Sequence, residues 1–385
     1  MKRIAIISQL NLDNVNYGNR LQAFALNYYL RNHYDYEVRS IILNSKEKQK
    51  KTKFSPIRDI VLKIYNISKS NSSINYRVFK RKELCNNFTQ AYTILDQNMC
   101  MSFFELKKTK YNMFIVGSDV VWAQSNRAVN KIKFLDFSNS VDECIKISYG
   151  ASFGRDYIPN NNKKYINKCL SQFAKISVRE KSSIKLLHKI GIKNVDHVCD
   201  PTLLLDKNTW REMEMNPNII NDNFVFVYLL GKNREQREII KEFAKKNHLI
   251  IVNVPYANGK YSSNECDFAN INFLDCSPQN WLWLINNSNY VFTDSFHGTV
   301  FSIIFEKKFF VFSRDIETDI NNRMVDFLKT INQNDKYIND ESFIDLNEYM
   351  WDYSKINHNV DKFVNSSKEY IKECINLLSK EEKNE

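Results

Sequence analysis

Short runs that are apolar at every position recur along this chain, each followed by a polar turn and a stretch of helical periodicity. Residues 4–8 form the first, apolar on both faces, as expected of a strand buried in a parallel sheet. A polar loop over 11–18 leads into a helix from about Asn19. There Leu21, Phe24, Ala25 and Tyr28 recur at i, i+3, i+4 and i+7 and predict one apolar face. Residues 38–43 supply the next strand, and this β-α-β opening predicts a doubly wound sheet. Further short strands are expected at 113–116, 145–149 and 175–178. A second series opens with a strand at 224–230, a helix over 235–247 and a strand at 249–254. Ser277-Pro278 then has the form of a helix start, Ser as N-cap and Pro at the first helical position. The helix it opens covers 281–286. It feeds a strand at 290–293, a helix over 298–305 and a strand at 309–312.

The resulting fold class is α/β: two Rossmann-like domains facing a cleft, the GT-B-type architecture, with a helical C-terminal tail. The expected boundaries are 1–199 for the first domain, 200–340 for the second and 341–385 for the tail. Asp200-Pro201-Thr202 reads as the hinge. Residues 44–110 are rich in Lys and Asn, with helical patches near 57–65 and 78–88, and read as a helical insertion in the first domain.

Composition narrows the function. With 385 residues, 43% of them hydrophobic, the chain has enough apolar side chain for two cores. The formal charge of +11 is densest at 46–53. It reads as a solvated loop in a lysine-rich composition, or as attraction for an anionic donor or lipid head group. It is not gathered on one face with stacking aromatics, so no nucleic-acid partner is expected. Eight dispersed cysteines, with no C-x-x-C pair, suit a reduced compartment. The apolar run behind Met1-Lys2-Arg3 ends at Ser8, too early for a signal peptide. No stretch approaches the ~18 apolar residues of a membrane span. The expectation is a soluble cytoplasmic protein, at most peripheral at the inner face of a membrane. D-x-D, H-E-x-x-H and Walker signatures are missing, so neither metal nor cofactor is expected.

Three strings carry chemistry. In Thr293-Asp294-Ser295-Phe296-His297-Gly298-Thr299 a strand ends, a polar turn follows and a helix begins. Ligands sit at such strand ends, and a helix N-terminus favours an anion. His297 would stand beside that anion, or simply be bonded into the turn. Ser295 would cap the helix and donate to a phosphate; a nucleophile elbow is excluded, because no Gly stands two residues before it. In Ile176-Ser177-Val178-Arg179-Glu180, Arg179 suits bidentate contact with a carboxylate or phosphate. Taken alone, the same string reads as a surface Arg–Glu pair worth under ~1 kcal/mol. Asn16-Tyr17-Gly18-Asn19 forms the lip of a pocket in the first domain. Nearby Asp119, in Gly117-Ser118-Asp119, could take a proton from a sugar hydroxyl or merely cap a helix.

With these strings in order, the chain resembles the polysaccharide pyruvyl transferases from about Lys2 to Leu328. The matching segments are 16–26, 114–119, 148–154, 176–180, Asp200-Pro201-Thr202-Leu203-Leu204, 293–298 and Asn322-Arg323. Val120 stands where Gln is usual, and Gly150 where Ala is common. The resemblance implies transfer of a pyruvyl group from phosphoenolpyruvate, as co-substrate, to two hydroxyls of a saccharide, giving a cyclic ketal in exopolysaccharide or capsule biosynthesis. It implies a donor side in the second domain and an acceptor side, possibly serving a lipid-linked saccharide, in the first. His297 would be acid and phosphate ligand, with Asp119 or Asp294 as base. Arg179, Ser295, Gly298, Thr299 and Arg323 would join His297 in holding the donor. Asn16, Tyr17, Gly18, Asn19, Gln22 and Ser118 would hold the acceptor. A nucleotide-sugar glycosyltransferase shares the architecture and is the alternative.

Overall fold

A computed structural model describes residues 1–10, 12–43, 73–97, 101–123, 129–137, 144–256, 267–314, 321–338, 345 and 349–381. The basic run at 46–53 and the helical patch expected at 57–65 lie outside the described residues.

Among the described residues every strand pairing is parallel. The first half is built on β1 (Arg3–Ile7), β2 (Glu37–Ile41), β3 (Met113–Val116) and β4 (Ile145–Ser148), in the order β2-β1-β3-β4. The pair β5 (Ser177–Val178) and β6 (Asp196–His197) extends this sheet through the bridges Ile147–Lys175 and Ala151–Val178. The second half holds β7 (Phe224–Tyr228), β8 (Ile250–Asn253), β9 (Ile271–Asn272), β10 (Tyr290–Thr293), β11 (Lys308–Phe312) and β12 (Tyr337–Ile338). Their order, β12-β11-β10-β7-β8-β9, is that of a Rossmann sheet. All four residues of β3 and all five of β7 are buried, which is why these strands read as unbroken apolar runs.

Strand order reverses between β1 and β3 in the first sheet and between β7 and β10 in the second. The C-terminal ends of those strands carry Gly117-Ser118-Asp119 and Asp294-Ser295-Phe296-His297. Both crevices where such sheets bind ligands therefore hold the residues singled out in the sequence.

The helix Tyr17–His33 departs from its expected single apolar face. It lies between the halves and is buried nearly all round, Arg20, Gln22 and Asn27 included. Its polar side chains find partners inside: Arg20 donates to Thr89 and Asn86, and Asn27 to Ser40. Tyr17 is enclosed by the second half, stacked on Trp281 at 5.5 Å, its hydroxyl donating to the Cys276 carbonyl at 2.8 Å.

Helix Ser73–Tyr92, inside the expected insertion, reaches across to the second half. Arg81 donates to the carbonyls of Leu274, Pro255 and Phe273, and Arg77 pairs with Asp275 at 2.7 Å. The C-terminal helix Tyr353–Glu381 returns to the first half. There Tyr370 donates to the Ser148 carbonyl and Ser367 accepts from the Cys199 amide. Asp200-Pro201-Thr202, expected as a hinge, opens a buried helical turn, Pro201–Leu204, with Asp200 accepting from the Thr202 amide. No helix among the described residues is long and apolar enough to cross a membrane.

Candidate active site

The turn after β10 is fixed by its own polar groups. Thr293 Oγ1 donates to the Tyr228 carbonyl and accepts from the Ser295 amide. Ser295 caps the helix Phe296–Ile304 by accepting from the Gly298 amide. Gly298 is required by close approach, since a Cβ there would sit 2.4 Å from Thr293 Oγ1. The first helical turn therefore presents Phe296 and His297 to the other half.

From that half comes the start of helix Tyr17–His33. A Cβ on Gly18 would lie 2.0 Å from His297 Nδ1. Two helix N-termini thus meet at one imidazole, each contributing the positive end of its dipole. His297 is 7% exposed, and its Nε2 lies 3.4 Å from Asp200 Oδ2 without a hydrogen bond.

Arg179 completes the cluster. At 5% exposure it is deep in the junction, its guanidinium 4.1 Å from the centre of the Phe296 ring. Nε donates to Glu180 at 2.9 Å and Nη1 to Asp200 at 2.8 Å, while Nη2 has no hydrogen-bond partner. The Arg179–Glu180 pair is therefore buried, not the surface pair that the string alone suggests. Burial pulls the Arg179 pKa down, but Glu180, Asp200 and Asp119 outweigh it and hold the charge more firmly than usual.

Asp200 is the hub. Oδ2 accepts from Arg179 and from Ser118 Oγ at 3.2 Å; Oδ1 accepts from the amide and hydroxyl of Thr202. Burial pushes its pKa up, but His297 and Arg179 overturn this and hold it far below the carboxylate range. Asp119 sits in the left-handed region at φ 63°, a backbone outlier of the kind found at functional sites. It accepts from Asn19 Nδ2 and lies 3.7 Å from Arg179 and 3.9 Å from Arg323. Against the upward push of burial, Arg179, His297 and Arg323 keep it ionised below the usual range. Arg323 moves the other way, pulled down to about 10 by burial and by the Arg179 guanidinium. A buried cation beside another cation is relieved by a bound anion.

A polysaccharide pyruvyl transferase family model matches residues 16–316, most of the chain. The chain belongs to the polysaccharide pyruvyl transferase family. No curated protein matches the sequence. Among solved structures, the chain is similar to the UDP-GlcNAc 2-epimerase from Methanocaldococcus jannaschii, at 10% identity and TM-score 0.51, covering 95% of this chain and 93% of that one. Another is the UDP-GlcNAc 2-epimerase from Neisseria meningitidis bound to UDP-GlcNAc, at 11% identity and TM-score 0.49, covering 98% and 100%. The first of these likenesses shows a shared GT-B-type fold and no more.

In this pyruvyl transferase family member the junction brings together His297, Arg179, Arg323, Asp119, Ser118, Gly18 and Asn19. Other expected site residues are spent elsewhere. Both oxygens of Asp294 accept from the Leu230 and Gly231 amides, and burial raises its pKa. The Thr299 hydroxyl donates to the Ser295 carbonyl, Gln22 donates to the Asn19 carbonyl, and Asn16 caps its helix. Two carboxylates of the cluster, Asp200 and Glu180, were not picked out from the sequence as site residues. The available signals are that each follows a strand and lies in a segment that carries the resemblance, and that Glu180 adjoins Arg179. Among the described residues no group of His, Cys, Asp and Glu is arranged to hold a metal ion.

Proposed function

We propose that this protein moves a pyruvyl group from phosphoenolpyruvate to two hydroxyls of a saccharide, forming a cyclic ketal that adds a carboxylate to a cell-surface or exported polysaccharide. The observation that carries this reading is the pair of donors left over at the junction: Arg179 Nη2 and His297 Nε2 are buried and without hydrogen-bond partners. Unmade hydrogen bonds of buried charged groups are costly, and an anion with several oxygens removes that cost. Phosphoenolpyruvate carries a carboxylate and a phosphate, about three negative charges on few atoms, and suits two arginines, an imidazole and two helix N-termini.

In this reading Arg179, held flat by Glu180, Asp200 and the Phe296 ring, donates from Nη2 to the carboxylate. Arg323 and His297 take the phosphate, and His297 delivers the proton that turns the donor methylene into a methyl group. Across the reaction two hydroxyl protons leave the sugar. One ends on C3 of the donor and the other on inorganic phosphate, while two C–O bonds to C2 form and the C2–O bond to phosphate breaks. Asp200 orients Arg179 and His297. Asp119, ionised beside Arg179 and Arg323, orients rather than accepts protons; Asp294 holds the β7 turn.

The test is phosphate release from phosphoenolpyruvate in the presence of a panel of saccharides, alongside thermal protection by phosphoenolpyruvate and by a nucleotide sugar. Release with protection by phosphoenolpyruvate supports the proposal. Protection by the nucleotide sugar alone replaces it with glycosyl transfer.

A further inference from the structure

The donor reading leaves one cation of the junction without a role. Arg314 follows β11 and lies against the turn after β10 and the end of β7. Its Nη2 donates to the Asp294 carbonyl at 2.9 Å, one residue before the Ser295 cap of the helix Phe296–Ile304. Nε is buried without a hydrogen-bond partner, 3.7 Å from Asp294 Oδ2. Nη1 makes no hydrogen bond among the described residues and, unlike Nε, is open to solvent. Asp294 is the ion-pair partner of Arg314, yet it spends both oxygens on the Leu230 and Gly231 amides.

The chain around Arg314 holds it in this place. Asn321 accepts from the Arg314 amide at 2.8 Å and donates to its carbonyl at 2.7 Å. That reciprocal pair fastens Arg314 to the start of the helix Asn322–Thr330, whose first turn carries Arg323. On the β7 side Gly231 leaves room, since a Cβ there would lie 3.0 Å from Asp294 Oδ2 and 3.4 Å from Arg314 Cγ. Arg314 also adds to the lowering of the Arg323 pKa, after the larger effects of burial and of Arg179, so the three guanidinium groups share one field. Side-chain exposure falls along this series, from 19% for Arg314 to 14% for Arg323 and 2% for Arg179. Arg314 is its solvent-side member, reached first by an anion that arrives from water; Arg179 is the innermost.

We propose that Arg314 is a further donor-binding residue: its Nη1 takes the phosphate of phosphoenolpyruvate at the mouth of the junction, while the carboxylate lies inward on Arg179. The inference rests on the donor reading above and fixes the direction of the donor within it. Phosphate outside and carboxylate inside turn the C2–O bond to phosphate towards solvent. When that bond breaks, both electrons stay with the phosphate oxygen, and a guanidinium beside it stabilises the added negative charge. Inorganic phosphate then leaves past Arg314.

Arg314→Gln and Arg314→Lys test this. The first keeps a donor for the Asp294 carbonyl and removes the charge; the second keeps both. The two variants and the wild type are titrated calorimetrically with phosphoenolpyruvate and with inorganic phosphate. Arg314→Gln should bind each ~10- to 10²-fold more weakly, the scale of one charge-assisted hydrogen bond, and Arg314→Lys should bind each more tightly than Arg314→Gln. Wild-type affinities in Arg314→Gln overturn the assignment and leave the donor reading standing. Equal weakening in the two variants also overturns it, by making the arginine a support for the turn at Asp294. Weakened phosphoenolpyruvate with unchanged inorganic phosphate overturns it as well, because the carboxylate would then lie at this residue. Failure of the wild-type chain to bind phosphoenolpyruvate removes the donor reading and this inference with it.

Discussion

Two buried arginines join the halves of this molecule, and they do so in opposite ways. Arg81, 1% exposed, directs Nε, Nη1 and Nη2 each at a backbone carbonyl of the second half. Arg179 is surrounded by carboxylates, yet keeps one nitrogen without a hydrogen bond. The first is a finished structural joint: three neutral acceptors hold Arg81 on the second half, and each of its nitrogens has a hydrogen bond. The second is unfinished, with charge assembled beyond what its hydrogen bonds use. Burial of a charge does not by itself mark function; what separates these two sites is the donor that remains.

The comparison can be broken by substitution, and the largest effect is expected at the unfinished site. His297→Ala should lower phosphate release by ~10²- to 10⁴-fold while circular dichroism stays that of the wild type; near-normal turnover would remove the imidazole from the mechanism. Gly18→Ala acts on the same ring from the opposite half. Its methyl would lie 2.0 Å from Nδ1, so the imidazole must move, and a displacement near 1 Å costs ~10²-fold in turnover. Wild-type activity in that variant would mean that the helix start yields instead. Arg81→Met should do the reverse, lowering stability by about 2 kcal/mol as three buried carbonyls lose their donor. Urea unfolding measures this, and folded Arg81→Met should still bind phosphoenolpyruvate.

The smallest effect lies outside both joints. Burial pushes Glu214 up to about 7, despite a hydrogen bond from Asn286. Its ionised form is therefore worse off in the folded chain than in the unfolded one. Stability is retained below the ordinary glutamate range and lost as pH rises towards 7. Glu214→Gln should raise stability at pH 8 by about 1 kcal/mol, allowing for partial exposure, and the gain should vanish near pH 5. An equal gain at both pH values would assign the effect to packing.

Much of this was legible in the chain because it is written locally. Unbroken apolar runs became β1, β3 and β7, and Ser277-Pro278 opens the helix Pro278–Asn287 with its expected cap. Ser295 was legible as a cap for the same reason. What escaped depends on contacts remote in sequence. Nothing near Asp200 announces that its carboxylate lies 3.4 Å from an imidazole 97 positions along the chain. Nor does the string at 176–180 say that its Arg–Glu pair is enclosed by a ring from β10's turn. The amide partners of Asp294 are equally remote, because a strand-end carboxylate looks the same in sequence whether it faces a ligand or backbone amides.

Calorimetric titration of the intact protein with phosphoenolpyruvate, repeated in the presence of inorganic phosphate and of UDP-GlcNAc, tests the central claim most directly. Saturable binding of phosphoenolpyruvate that inorganic phosphate weakens and UDP-GlcNAc leaves unchanged is the predicted result. Binding of UDP-GlcNAc with no heat from phosphoenolpyruvate would contradict it.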